Sequence, residues 1–312
     1  MEFGYHHAYF DQDAEAETVY ARVVERALWA EKHGFSLFTV MDHLIQIGGL
    51  GPQHWPVMEP WTLLGALAAE TSRIRLGTLA TSVGYRNPAL LAKMAAGVDI
   101  ISGGRLVLGI GAGWFEEEYR QYGYPYEPKA SVRIEQLEEA VEMIKLLWRG
   151  PRATYTGRYF QVEDAILEPK PIQKPHPTIM IAGSGKKYTL GVVARQADMS
   201  NVFGSPESIR PKYEALRRHC DENGRDFNEV TRSNLTELLL AKSDSELAEK
   251  KARYGIPDDY WGHTLTVAEA IDLLGRYAQV GVQVFIFSLH QHDPEGMALF
   301  TEEVMPAFRS AV

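Results

Sequence analysis

Cysteine is almost missing from this chain of 312 residues, which has only Cys220. That excludes an intramolecular disulfide, a cysteine-rich metal site and CxxC redox chemistry. Cys220 falls in the helical pattern of residues 213–220 and reads as a packing residue. Positive charge is short as well: 32 Lys and Arg face 41 Asp and Glu, for a net charge of −9. With no long basic block, binding of nucleic acid through a basic face is not expected. No apolar run approaches the roughly 20 residues of a membrane span, and residues 1–5 lack the basic and apolar regions of a signal peptide. The default is a cytoplasmic protein without membrane partners. Low-complexity tracts and a domain linker are absent too. So are the paired carboxylates or nucleophile–base arrangement that hydrolysis would need.

What is present is alternation. Strand patterns occupy residues 2–7, 37–41, 74–79, 105–110, 178–182, 199–202, 235–241 and 282–288. Helical patterns fall between and after them, at 18–33, 61–71, 89–101, 133–148, 186–196, 208–223, 267–278 and 294–304. Eight of each in strict order predict a (β/α)8 TIM barrel, with an open doubly wound sheet as the other arrangement of the same pattern. Apolar residues make up 45% of the chain, enough for a large core. Asn87-Pro88 reads as a helix cap followed by proline at the first helical position. Gly34 and Gly281 stand where C-terminal cap glycines belong. One barrel over residues 1–312 then carries insertions near 44–60, 114–131, 150–177 and 243–266. Those after the second and fourth strands fall on the catalytic face, and 150–177 on the opposite one.

The chemistry-bearing candidates lie at strand ends. Asp42 and His43 close the second strand: one can face the barrel mouth while the other braces a loop. His6 and His7 close the first, and alternation points one of them into the mouth. These histidines bring no further ligand set, so no metal is expected. Gly109, Gly111 and Gly113 keep a strand end flat for a ring edge, and Trp114 can wall a pocket. Glu116 to Glu118 read as a solvated helix start. Gly183-Ser184-Gly185 with Lys186 or Lys187 leads from strand into helix, a turn suited to phosphate. A mouth with so few ionisable groups suits a cofactor that carries its own redox chemistry.

These segments together resemble the luciferase-like flavin and deazaflavin oxidoreductases. The resemblance is carried by Ala30-Glu31-Lys32-His33-Gly34-Phe35 through Met41-Asp42-His43-Leu44, and by Tyr85-Arg86-Asn87-Pro88. It continues in Ser102-Gly103-Gly104-Arg105 through Gly111-Ala112-Gly113-Trp114 and in Ile181-Ala182-Gly183-Ser184-Gly185. It is strong over residues 3–200, thinner beyond, and closest to the coenzyme F420-dependent branch. It implies a cofactor ring on the strand ends, backed by a non-prolyl cis peptide within 78–81, next to Ala80. Thr81 would hydrogen-bond the ring, His43 would sit near the reacting carbon, and Gly183 to Gly185 would take the phosphate. Two family positions differ here. Trp114 stands where the sugar-phosphate dehydrogenases have a glutamate, and a loop aromatic is replaced near Ile47, which argues against a sugar phosphate.

The expectation is therefore an F420-dependent oxidoreductase passing hydride to or from a small organic substrate. An FMN-dependent two-component monooxygenase fed by a separate reductase is the alternative, and a non-catalytic flavin-binding protein the second. The catalytic candidates are His43, Asp42 and His6, with Glu118 as a further proton donor. Cofactor contacts are assigned to Asp42, His43, Leu79, Ala80, Thr81, Gly111, Gly113, Gly183, Ser184, Gly185 and Lys186. Tyr5, Trp114 and Glu118 are assigned to the substrate pocket. A homodimer through the apolar helices at 61–69 and 90–98 is expected.

Overall fold

The computed structural model describes residues 1–10, 15–257 and 260–308. In chain order it contains β1 (Glu2–His7), α1 (Ala16–Lys32), β2 (Leu37–Val40), α2 (Pro60–Glu70), β3 (Arg75–Thr78), the short β4 (Thr81–Ser82) and α3 (Pro88–Ile101). There follow β5 (Leu106–Gly111), α4 (Glu116–Gln121), α5 (Ala130–Arg149), the strands β6 (Ala153–Thr156) and β7 (Gln161–Ala165), β8 (Thr178–Ala182) and α6 (Thr189–Gln196). Then come β9 (Met199–Val202), α7 (Pro206–Glu222), β10 (Thr231–Ala241), α8 (Asp244–Tyr254), β11 (His263–Thr266), α9 (Val267–Gln279), β12 (Val284–Leu289) and α10 (Pro294–Leu299). β1, β2, β3, β5, β8, β9, β10 and β12 pair in parallel in that order, and β12 returns to β1. The sheet is thus a closed eight-stranded barrel, as the alternation predicted, and not an open sheet. Residues 258 and 259 of the predicted insertion at 243–266 lie outside the described residues.

Two packed layers follow from the two-residue period of a strand. Leu37, Val107, Met180, Met199, Leu235 and Ile286 fill the barrel. Phe38, Leu108, Ile179, Ile181, Phe285 and Phe287 face the helices. On β1 the parity is set by Gly4, where an added Cβ would stand 3.1 Å from the Ile286 side chain. Gly4 and His6 therefore point inward, and Tyr5 points out. Tyr5 stacks on Phe38 at 5.7 Å and bonds His292 at 2.7 Å, fully buried. This corrects its assignment to the substrate pocket.

The helix ends obey local rules. The Asn87 side chain accepts from Ala89 N with Pro88 at the first position of α3. Gly34 and Gly281 adopt φ of 80° and 98° just beyond α1 and α9. The 150–177 stretch contains the antiparallel β6–β7 hairpin, anchored to α5 by Glu139, which accepts from the backbone of Arg158, Tyr159 and Phe160. Lys170 donates to the Leu147 and Gly150 carbonyls at the C-terminal end of α5, where the strands begin. That end of α5 lies away from the strand C-termini, while the hairpin tip runs back along α5 to Glu135, which accepts from the Tyr159 hydroxyl at 2.5 Å.

β3 and β5 approach closely because Gly109 has no side chain: a Cβ there would lie 1.8 Å from the Thr78 carbonyl oxygen. Gly109→Ala is expected to lower the melting temperature by about 5 °C or more, through overpacking against backbone that cannot step aside. Gly275→Ala, in α9 with open space at Cβ, should instead hold or slightly raise it, since alanine outranks glycine inside a helix. A thermal melt of the two variants beside the parent checks both.

Candidate functional site

A cavity of about 610 Å³ opens over the C-terminal strand ends. One wall is flat and apolar, made by Leu79, Ala80, Gly111, Ala112, Gly113 and Ala182. The Leu79–Ala80 peptide bond is cis, inside the span and beside the residue that the sequence indicated. Gly111 keeps this wall bare, because a Cβ there would meet the Ala182 carbonyl at 3.3 Å and the Ala80 methyl at 3.9 Å. His6, Ala8, Leu235 and Ser288 form the facing wall, while Ile47, Trp114, Phe203 and Trp261 reach it from the loops.

His43 lines the cavity, and its Nδ1 lies 2.9 Å from Glu118 Oε2. Glu118 is fully buried behind it. It also accepts from the Tyr85 hydroxyl and from the backbone N–H groups of Leu44 and Ile45. Burial works to raise its carboxyl, but the bonds from His43, Tyr85 and Leu44 outweigh that and hold it below the usual range. The sequence reading of Glu118 as a solvated residue, a pocket wall or a proton donor is therefore corrected: it is a buried, ionised carboxylate that orients His43.

Asp42 also borders the cavity, yet its two oxygens take both arms of Arg86, at 2.7 and 3.2 Å, and Arg86 reaches on to Glu59. Burial pushes the Asp42 carboxyl up and Arg86 pulls it back, leaving it above the usual value. His6 bonds Thr39 Oγ1 at 2.9 Å, and burial, with His43 nearby, drives it down to about 3. It stays neutral at ordinary pH, which removes it as an imidazolium acid. His7 points the other way, stacked on His292 at 4.9 Å.

Thr81 is a further correction. Its hydroxyl accepts from Trp61 Nε1 at 3.0 Å and donates to Thr78 at 3.1 Å, fully buried; Ser82 meets the cavity instead. Gly183 and Thr189 edge the cavity, while Ser184, Gly185 and Lys186 continue the turn beyond its lining. Ser184 Oγ accepts from Phe203 N at 3.3 Å. Sequence reasoning missed Arg86, Ser288, Trp261 and Arg133, which lines the cavity and donates to the Gly113 carbonyl at 3.1 Å. Arg86 was within a quoted run, and its cation next to a buried Asp42 was the available signal. Ser288 and Trp261 carried none.

Residues 1–308 match the profile of the family described as luciferase-like monooxygenase. The chain belongs to that family. Among its relatives, the pyrimidine monooxygenase RutA of Acinetobacter baylyi is 32% identical over 241 residues, 75% of this chain and 62% of the relative. That of Methylorubrum extorquens is 35% identical over 265 residues, 82% and 66% of the two chains. This luciferase-like chain thus spans about three-fifths to two-thirds of their length. By structure it resembles an F420-dependent secondary alcohol dehydrogenase (TM-score 0.82, 21% identity, 99% of both chains) and the monooxygenase RslO1 of Streptomyces bottropensis (TM-score 0.80, 21% identity, 99% and 100%). These likenesses bear on the fold. The sequence relatives favour a monooxygenase over the F420-dependent reading that the resemblance put first.

The pairing of Asp42 with Arg86 gives a pH test. A buried carboxyl with a raised value binds its proton more tightly folded than unfolded, so its share of stability falls as pH rises. Arg86→Met removes the opposing pull and leaves a buried charge uncompensated, at a cost of about 3–5 kcal/mol near neutral pH. The deficit relative to the parent should be larger at about pH 7.5 than at about pH 5, as read by denaturant unfolding at both. An equal deficit would show that Asp42 does not titrate in that window.

Proposed function

We propose that this chain is an FMN-dependent monooxygenase acting on a small organic substrate, with reduced flavin supplied by a separate reductase. The observation that carries it is the identity of 32–35% with enzymes named as pyrimidine monooxygenases, over three-quarters or more of the chain. The bare wall beside Gly111, where a Cβ would come within 3.3 Å of the Ala182 carbonyl, fits a planar ring system. The turn at 183–187, with two lysines ahead of α6, fits the ring's phosphate. Reduced FMN, when bound, supplies the two electrons with which dioxygen is divided between product and water.

The residues' own share is positional and protonic. Glu118 is an acceptor only, so the shared proton sits on His43 Nδ1 and Nε2 is left to exchange a proton in the cavity. Asp42, tied to Arg86, braces the end of β2 and does not carry protons. The apolar wall excludes water from the ring's face. Two copies contacting through residues 61–69 of α2 and 90–98 of α3, where Leu90 is exposed, belong to the same reading. Pyrimidines are the first compounds to assay, after the relatives' names.

Titrating the purified chain with FMN and coenzyme F420 in parallel, by fluorescence, decides the cofactor. Micromolar or tighter FMN binding with F420 at least about tenfold weaker is expected; the reverse order would replace this reading by hydride transfer. His43→Ala should lower turnover about a hundredfold or more, as for loss of a general acid or base, with FMN affinity nearly unchanged. Equal losses in both would remove that role. Glu118→Gln should lower turnover less, and add nothing when combined with His43→Ala, because the two act as one unit.

A further inference from the structure

The inward residues of barrel strands stack in layers. Gly4 is in register with Ile286 and Leu37, and Ile286 with Leu235, which makes the last apolar layer on this side. Two residues on, the same faces of β2, β1, β12 and β10 carry Thr39, His6, Ser288 and Glu237, with Ser288 and Glu237 directly in register. Across the mouth the cavity meets Leu79, Gly111 and Ala182. The mouth therefore has an apolar half and a polar half, and the flavin reading uses only the first.

The polar half is incompletely satisfied. Ser288 lines the cavity, is 1% exposed, and its Oγ has no hydrogen-bond partner. Glu237 is fully buried behind the cavity lining; its Oε1 accepts from the Tyr9 hydroxyl at 2.6 Å and lies 2.6 Å from His290 Nδ1, while Oε2 makes no bond. The nearby Tyr260 hydroxyl, which burial and Glu237 push up, makes none either. His290 Nε2 is likewise without a partner. Buried polar atoms are nearly always bonded, so Ser288 Oγ in the cavity wall, with Glu237 in register beside it, calls for a ligand.

We propose that Ser288 and Glu237, with His6 beside them, form the substrate-specificity subsite, which takes a compound bearing an N–H or O–H donor. Ser288 Oγ can accept and donate, and a carboxylate oxygen only accepts, so the complementary group is a donor. This rests on the flavin reading for which half of the mouth the ring occupies. Ser288 and Glu237 stand on β12 and β10, away from the Gly111 wall and the 183–187 turn.

The test measures, by calorimetry on the full chain with and without FMN, the binding of two probe pairs. These are uracil against 1,3-dimethyluracil, and benzamide against N,N-dimethylbenzamide. The donor-bearing member of at least one pair should bind about tenfold more tightly or better, since a site built to hydrogen-bond rejects analogues that cannot. Ser288→Ala and Glu237→Gln should each cut that preference to about threefold or less while FMN affinity stays within about twofold. Steric rejection of the methyl groups alone would leave the preference intact in both variants and overturn the proposal, as would no preference in either pair. Ser288→Ala decides by itself if Glu237→Gln fails to fold. Failure of FMN to bind is a separate result, which sinks the flavin reading and leaves the probe comparison standing.

Discussion

One buried carboxylate holds the mouth of the barrel together. Glu118, in the short α4, accepts from the backbone of Leu44 and Ile45 after β2, from His43 and from Tyr85 in the segment before α3. Three connections that have no covalent reason to meet are thereby fixed on one atom pair. A buried charge tolerates this only when each lone pair is taken up by a donor. That requirement explains why β5 is followed by a glycine-rich turn and then a helix: the turn brings the third residue of α4 inward while Glu116 stays in solvent.

The same logic ties down the charge near the surface that a cofactor would touch: Arg133 lines the cavity and donates to the Gly113 carbonyl at 3.1 Å. Asp42 borders the cavity but is neutralised by Arg86, and Glu118 is neutralised from behind by donors. His6, which does face the cavity, is held neutral. The wall around Leu79, Ala80 and Gly111 thus meets a ring with backbone and methyl groups, while ionic pairs set geometry one layer deeper. A redox cofactor would keep its own electronics in such a setting, and on the proposed reading the protein would add position, dryness and one imidazole nitrogen.

The barrel was legible in the sequence because its strands are short apolar runs and its helix ends carry strong punctuation, such as Asn87-Pro88 and the glycines at 34 and 281. The β6–β7 hairpin was not, since residues 161–165 are polar and partly exposed and take their place from Glu139 on α5. At the site, alternation said that one of His6 and His7 faces inward. It could not say which, nor that Tyr5 therefore faces out, because the parity is decided across strands by Gly4 against Ile286. Thr81 is turned from the cavity, which Ser82 meets, for a related reason: the chain bends between β3 and β4, and Trp61, distant in sequence, claims the Thr81 hydroxyl. Glu118 was misplaced because three successive acids look alike until a helix face is chosen.

What distinguishes one member of this family from another is then confined to a few places. Closed parallel barrels of this kind accompany enzymes named for different reactions at nearly the same TM-score, 0.82 for an F420-dependent dehydrogenase and 0.80 for a monooxygenase, so the backbone alone is silent on the reaction. The apolar half of the mouth is equally permissive, since any planar ring system satisfies it. Discrimination has to come from groups that penalise a mismatched partner, and in a dry cavity those are buried polar atoms with no other bond to make. On the proposed reading they sit at Ser288 on β12, with Glu237 beside it on β10, rather than at the strand ends around His43. A barrel with its proton chemistry at β2 and its specificity subsite at β10 and β12, as proposed, would separate reaction from selection across the width of its mouth. Changes in substrate can then arise on one side without disturbing His43 and Glu118 on the other.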